Sequence, residues 1–518
     1  MTSDSTFPNH TAAAVDHSSR RASGVFVLLL FSSGLFCGPR TVDAQTPRPR
    51  HERLLSVDAL HEDLKATRSL LERMHPGLHL YVNADELGRK FDAVEAAIVE
   101  PLTAAEFLVK LASPIESIRC GHTYLMLPPG QMQMLHQRGR MFPLPIVFLE
   151  GTALVDHKKA ALPLGAEILS INGVSMDDLV ELLQPLVPCD GFVANSRLTN
   201  LAVEFADAYA IGVGQRRSFQ VTYRLHDAQD EDTTTIDPVN GRSLQELNES
   251  RFSRGGDRIP LDFKKLRNDT VLLTINSLDF DDYRRGDGMF RHFLKRTFGM
   301  IAMDTQVTNV VLDLRKNDGG YTSHEILLHS YLASKPFHEM RTAETRTITI
   351  AEKHLLDPDW YSRGLTRYLE RRLSKEFDPA GDHLFTVDED SNPAHEPHRL
   401  HFEKTLYVMT SGRTHSAAAS LCSMLDRKGK TIFVGEETGG VRSTFTAGNI
   451  LGYLLPNSHL QLAVPIIQYH FREGTRESEP GHGVIPHHPV VQSREDFIGD
   501  KDRVLERVLE LITQDAGP

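Results

Sequence analysis

Val307-Thr-Asn-Val-Val-Leu-Asp-Leu-Arg315 is an apolar run rich in β-branched residues, and it ends in Lys316-Asn-Asp-Gly-Gly320. It reads as a strand buried on both faces. The paired glycines behind it allow tight turning and exposed amides. The same rhythm recurs on either side. Val271–Leu278 and Thr405–Thr410 are further apolar strands, and Thr431–Gly435 is another. Between them, Gly286–Thr305, His324–Ala333 and His415–Lys428 carry helical patterns, and Asp502–Thr513 closes the chain as an amphipathic helix. Strands alternating with helices predict an α/β domain with a largely parallel sheet.

Upstream the texture changes. From about Ser56 to Ser117 the chain reads as helices, with Leu60, Leu64, Leu70 and Leu71 on one face. Pro76-Gly77 breaks the run, and a second helix is predicted over Ala84–Val99. Thr103-Ala-Ala-Glu106 is a capping box ahead of a third. Residues 140–235 read as a small β-rich module, with a strand ending in the Asn172-Gly173 turn and a helix over Met176–Leu186. Asp227–Asp237 is acidic and polar, and reads as a surface loop or linker. Residues 336–400 are charged and weakly periodic, and read as an insertion or flap.

At the start, Arg20-Arg21 precede an uncharged stretch, densest at Val25–Phe31, and Val42-Asp-Ala44 supplies small residues before Gln45. Basic, apolar and small-residue segments in that order predict a cleaved secretory signal over 1–44, and so a periplasmic or extracellular protein. The apolar core falls short of the roughly 20 residues that span a bilayer, so no stable membrane span is expected after cleavage. The four segments are then 1–44, a helical domain at 45–139, the β-rich module at 140–235 and the α/β domain at 236–518.

Composition narrows the function. The 518 residues carry 57 Lys+Arg against 69 Asp+Glu, a formal net charge of −12. Such a surface repels phosphate backbones, which argues against nucleic acid as a partner. Cys120, Cys189 and Cys422 are the cysteines left after residue 44, an odd number and far too few for a disulfide scaffold.

Three segments place small polar residues at strand ends, where open α/β sheets bind ligands. In Ser411-Gly-Arg-Thr-His-Ser416-Ala-Ala-Ala419, Ser416 falls at a helix start, with the Ala417 amide placed to stabilise an oxyanion. A serine there also caps helices, so this loop alone does not separate a nucleophile from a cap. The second segment is Asp313–Gly320. The third is Arg119-Cys-Gly-His122-Thr123, whose histidine is the usual general base near neutral pH.

Together, in this order, the three resemble the C-terminal processing (tail-specific) serine peptidases and the tricorn protease. That family's Asp-Leu-Arg-x-Asn-x-Gly-Gly stands as Asp313 to Gly320, and its Thr-x-Ser-Ala-Ala as Thr414 to Ala418. Its Val-Gly-Glu-x-Thr-x-Gly stands as Val434 to Gly440, and its Gly-Val-x-Pro-Asp as Gly483 to His487. Its Asp-Gly-His-Thr begins here with Cys120. The resemblance implies a ClpP/crotonase-like α/β catalytic domain, an N-terminal helical segment and a PDZ-like module at 140–235. The Ser–Lys branch places Lys where this chain has Val441, so the resemblance points to the tricorn-like Ser-His-Glu branch. It then implies Ser416 as nucleophile, His122 as base and Glu479 as third member, with Glu477 and Glu473 as alternatives. Ala417 with Gly319 or Gly320 would form the oxyanion hole. The substrate is a peptide or protein, recognised at its C-terminus if the PDZ-like module binds it, and no cofactor or metal is required. Two other readings stay open: a catalytically inactive binding protein on the same scaffold, and a metal hydrolase built on His482, His487 and His488.

Overall fold

The computed structural model describes residues 53–515 except 252–259, 281–287, 359–360, 362, 382, 389–393, 427–429 and 472–478. The signal expected over 1–44 lies outside the described residues, as do Glu473 and Glu477. No described helix is long and apolar enough to cross a membrane.

Asn309–Asp313 is central in a six-stranded sheet, flanked by Thr270–Ile275 and Thr405–Thr410, both parallel to it. Thr431–Gly435 and His488–Pro489 extend the parallel set, and Leu261–Lys265 closes the other edge antiparallel. Val310, Val311 and Leu312 are wholly buried because both faces are covered. On one face lie the helices Met289–Met303, Thr322–Ser330 and Ala417–Leu425; on the other, Val508, Leu511 and Ile512 of the closing helix Arg503–Asp515. This is the predicted mixed α/β architecture with a largely parallel sheet.

The N-terminal helices are Val57–Met74, Ala84–Ala97 and Ala104–Ser117. The third begins at the predicted capping box: the Glu106 amide donates to Thr103 Oγ1 (3.2 Å), and the Thr103 amide to Glu106 Oε2 (2.8 Å). Downstream, an antiparallel sheet runs Ile146–Leu149, Thr152–Val155, Glu167–Ile171, Phe219–Arg224, Asp232–Ile236. The helices Met176–Leu183 and Ala194–Gly212 belong to the same stretch. Asn172 and Gly173 turn the chain with φ of 52° and 79°, the conformation that favours Asn-Gly in hairpins. The loop expected over Asp227–Asp237 is in part a strand: Thr233, Thr234 and Thr235 pair with Thr222, Val221 and Gln220. Their β-branched side chains suit an exposed edge despite the acidic neighbourhood.

The third sheet ties the early chain to the late chain. Tyr124–Met126 pairs with Gln461–His470, Tyr124 opposite Ala463. Gln461–His470 also pairs with Thr444–Leu454 and, on its other side, with Thr342–Thr345. Leu384–Asp388 and Asp378–Gly381 continue outward. The segment 336–400 is therefore built into a sheet, with the helix Arg363–Glu376 between its strands.

Candidate active site

Ser416 sits between the strand Thr405–Thr410 and the helix Ala417–Leu425, with φ 51° and ψ −128°. A serine held there stores roughly 1–3 kcal/mol, which persists only where the surroundings enforce it. The enforcing contacts are local. Thr414 Oγ1 donates to the Leu314 carbonyl (2.9 Å), the His415 amide to Asn317 (3.1 Å) and the Gly439 amide to Thr414 (2.8 Å). Gly319 permits the closest approach: with φ 109°, a Cβ there would lie 2.6 Å from Ser416 Cβ. Ser416 does not cap its helix. Its hydroxyl instead lies 3.1 Å from His122 Nε2, across 294 residues of sequence.

His122 is positioned by the turn it ends. Thr123 follows it, its amide donating to Cys120 (3.0 Å) and its hydroxyl meeting His75 Nε2 (2.9 Å). The next residue, Tyr124, is already paired with Ala463. The turn is clamped by Asp190, which sequence reasoning did not single out. Asp190 Oδ1 accepts from the Gly121 amide at 2.5 Å, and Oδ2 lies 2.8 Å from His415 Nε2. The His415 ring stacks on His122 with centroids 5.1 Å apart. Only glycine fits at 121, where a Cβ would stand 2.8 Å from His415 Nε2. Asp190 belongs to Pro188-Cys-Asp-Gly191, and the one local sign of its role is a polar Asp-Gly pair after an apolar run.

The electrostatics suit a base. Burial drives the His122 pKa down to about 4, against the opposing pull of Asp190. The ring is neutral at pH 7 and able to accept a proton. Burial alone would raise Asp190, but His415, His122 and the Gly121 amide outweigh it, and its carboxyl lies below the ordinary value. His122 Nδ1 is buried without an aligned hydrogen bond among the described residues, although the Thr446 carbonyl favours the charged ring.

Glu479 is not brought to this ring. Its side chain is 89% exposed, and its nearest ionic partner is His482, 3.9 Å away. Spacing from Gly483-Val484 suggested it, but its carboxylate faces solvent. Of the two glycines considered for the oxyanion hole, Gly319 has its amide committed to Asn317 Oδ1 (2.9 Å). The Ala417 and Gly320 amides make no such bond among the described residues. Val441, at the Lys place of the Ser–Lys branch, is buried. The three histidines proposed as metal ligands do not converge. His482 meets Glu437 (3.1 Å), and His487 Nδ1 accepts from the Phe433 amide (2.9 Å).

The model of peptidase family S41 matches residues 270–490, a span holding Asp313–Gly320, Ser416 and Val434–Gly440. Residues 270–490 belong to peptidase family S41. The chain is thus a serine-type peptidase. No curated protein matches it in sequence. Among solved structures it is similar to mature CPAF, at 14% identity and a TM-score of 0.62, over 89% of this chain and 99% of that one. CPAF complexed with lactacystin is similar over 88% and 98%, at 13% identity and a TM-score of 0.61. The photosystem II D1 C-terminal processing protease matches at 12% identity and a TM-score of 0.40, over 83% and 92%. The CPAF likeness extends the shared fold well beyond the S41 domain.

Proposed function

We propose that the chain is an exported serine endopeptidase that cleaves peptide bonds through an acyl-enzyme at Ser416, with His122 as general base. The observation that carries this reading is the 3.1 Å contact between His122 Nε2 and Ser416 Oγ. A serine hydroxyl is a weak nucleophile without an adjacent base. His122, neutral and with its proton on Nδ1, takes the Ser416 proton as Oγ attacks the scissile carbonyl. The charge that develops on the carbonyl oxygen is met by the free amides of Ala417 and Gly320, a donor type whose loss costs about 3–4 kcal/mol of barrier. Nε2–H then protonates the leaving amine, and water repeats the sequence to release the acyl group.

Asp190 acts as a positioning residue in this reading. It does not touch Ser416; it fixes the Gly121–His122 turn and the His415 ring stacked on it. Glu479 has no part in the arrangement.

The antiparallel sheet at 146–236 supports the PDZ-like part of the reading. Ile146–Leu149 and Asp232–Ile236 are its edge strands, and an extended substrate tail adds to such an edge through main-chain hydrogen bonds. Export rests on the signal pattern in residues 1–44.

Ser416→Ala tests the proposal: peptide hydrolysis is expected to vanish while the circular dichroism spectrum is unchanged. Full activity in that variant rejects it. A non-catalytic binder on this scaffold predicts instead that the parent protein binds peptide and never turns it over.

A further inference from the structure

Beside the proposed base, three metal-ligating side chains of different chemistry meet. One ligand atom each from Cys120, His122 and Asp190 lie within 4.8 Å of one another, and all three residues are buried. Sulfur, imidazole nitrogen and carboxylate oxygen together form a donor set suited to zinc. Two further observations point to a ligand there. His122 Nδ1 is buried and lacks an aligned hydrogen bond among the described residues, and the Thr446 carbonyl that interacts with the ring is met by the Cys120 thiol (3.3 Å). A cavity of about 10 Å³, roughly the room of a single water, borders Cys120 and Asp190, although His122 does not line it.

We infer that Cys120, His122 and Asp190 form an inhibitory site for a thiophilic divalent cation of the Zn²⁺ type, which switches the peptidase off by capturing its base. The cation closes the site with a water as fourth ligand, as three-ligand zinc sites do. Binding forms metal–sulfur, metal–nitrogen and metal–oxygen bonds to Cys120, His122 and the Asp190 carboxylate, keeps one water of the hydrated cation, sheds its other waters, and releases the Cys120 thiol proton to solvent. Coordination at Nδ1 moves the imidazole proton to Nε2, which becomes a donor toward Ser416 and no longer takes its proton. Coordination at Nε2 severs the Ser416 contact outright. Inhibition follows from either nitrogen. The inhibitory half of this inference rests on the proposed Ser416–His122 chemistry; the binding half does not.

The test separates the two. In the full chain carrying Ser416→Ala, Co²⁺ is expected to produce a near-ultraviolet thiolate-to-cobalt charge-transfer band at one equivalent, displaced by Zn²⁺. Adding Cys120→Ser removes the band. In the active chain, Zn²⁺ inhibits peptide cleavage and a chelator restores it. Cys120→Ala, with each rate normalised to its own metal-free value, raises the half-inhibitory Zn²⁺ concentration by at least about 10–100-fold, the loss that follows when only a ligand's supporting partner is removed. No charge-transfer band, or a band that survives Cys120→Ser, overturns the site. A band with no effect of Zn²⁺ on the rate overturns the inhibition. A chain that shows the band but never cleaves peptide keeps the site and sinks the peptidase reading instead.

Discussion

Asp190→Ala tests the positioning argument. Asp190 is 2% exposed and serves two buried donors, the Gly121 amide at 2.5 Å and His415 Nε2 at 2.8 Å. Hydrogen bonds to a charged group contribute about 1.5–3 kcal/mol each, and truncation takes this partner from both buried donors. The two share one carboxylate, so the losses do not simply add; about 3–5 kcal/mol is the expected destabilisation, as for other buried pairs broken from one side. The same change frees the Gly121–His122 turn. A shift of the imidazole by about 1 Å costs on the order of 100-fold in rate. Thermal or urea unfolding in a Ser416→Ala background reads the first effect, and kcat/KM on a fluorogenic peptide reads the second. Asp190→Asn, which keeps an acceptor for Gly121 but removes the charge, is expected to fall between Asp190→Ala and the parent in both. If Asp190→Ala stays within about 0.5 kcal/mol of the parent, the surface-substitution range, with kcat/KM unchanged, the clamp has no role.

Four further predictions rest on the same geometry. Because burial holds His122 near pH 4, the acid limb of kcat/KM is expected within about one unit of pH 4, not near the ordinary 6.5; an acid limb at or above 6.5 contradicts the neutral, buried base. The unfolded chain takes up a proton between about 6.5 and 4 that the native ring refuses, so the His122 share of stability declines as pH falls through that window. Glu479→Gln is expected to leave kcat/KM within about threefold, since the exposed carboxylate is screened by solvent; a 100-fold loss would restore it as the third member. Gly319→Ala forces a Cβ to 2.6 Å from Ser416 Cβ at a φ of 109°, and is expected to lower kcat on the order of 100-fold while the protein stays folded.

The α/β domain was legible because its signals are local. Val310 to Leu312 are apolar at consecutive positions, as a strand covered on both faces must be, and the loops that follow carry the small residues a site needs. The hairpin Thr444–Leu454 with Gln461–His470 was not legible. The second strand is buried on both faces and carries Pro465, which reads as a break in a central strand. That hairpin gives Tyr124 its partner and so delivers His122 to Ser416; family resemblance linked the two residues, while their sequence spacing alone did not. Asp190 was invisible for a related reason. It meets His415 across 225 residues, and an Asp-Gly pair in isolation is an ordinary turn. Glu479 shows the converse: an offset from Gly483-Val484 fixes how far along the chain a carboxylate lies, not which way it faces.

Covalent labelling of Ser416 by a fluorophosphonate, in the parent and in His122→Ala, is the most direct measurement. A stoichiometric adduct at Ser416 in the parent, slowed by about 100-fold or more without the imidazole, is the predicted result. No adduct in the folded parent, or equal labelling rates in both, would contradict the pairing of His122 with Ser416.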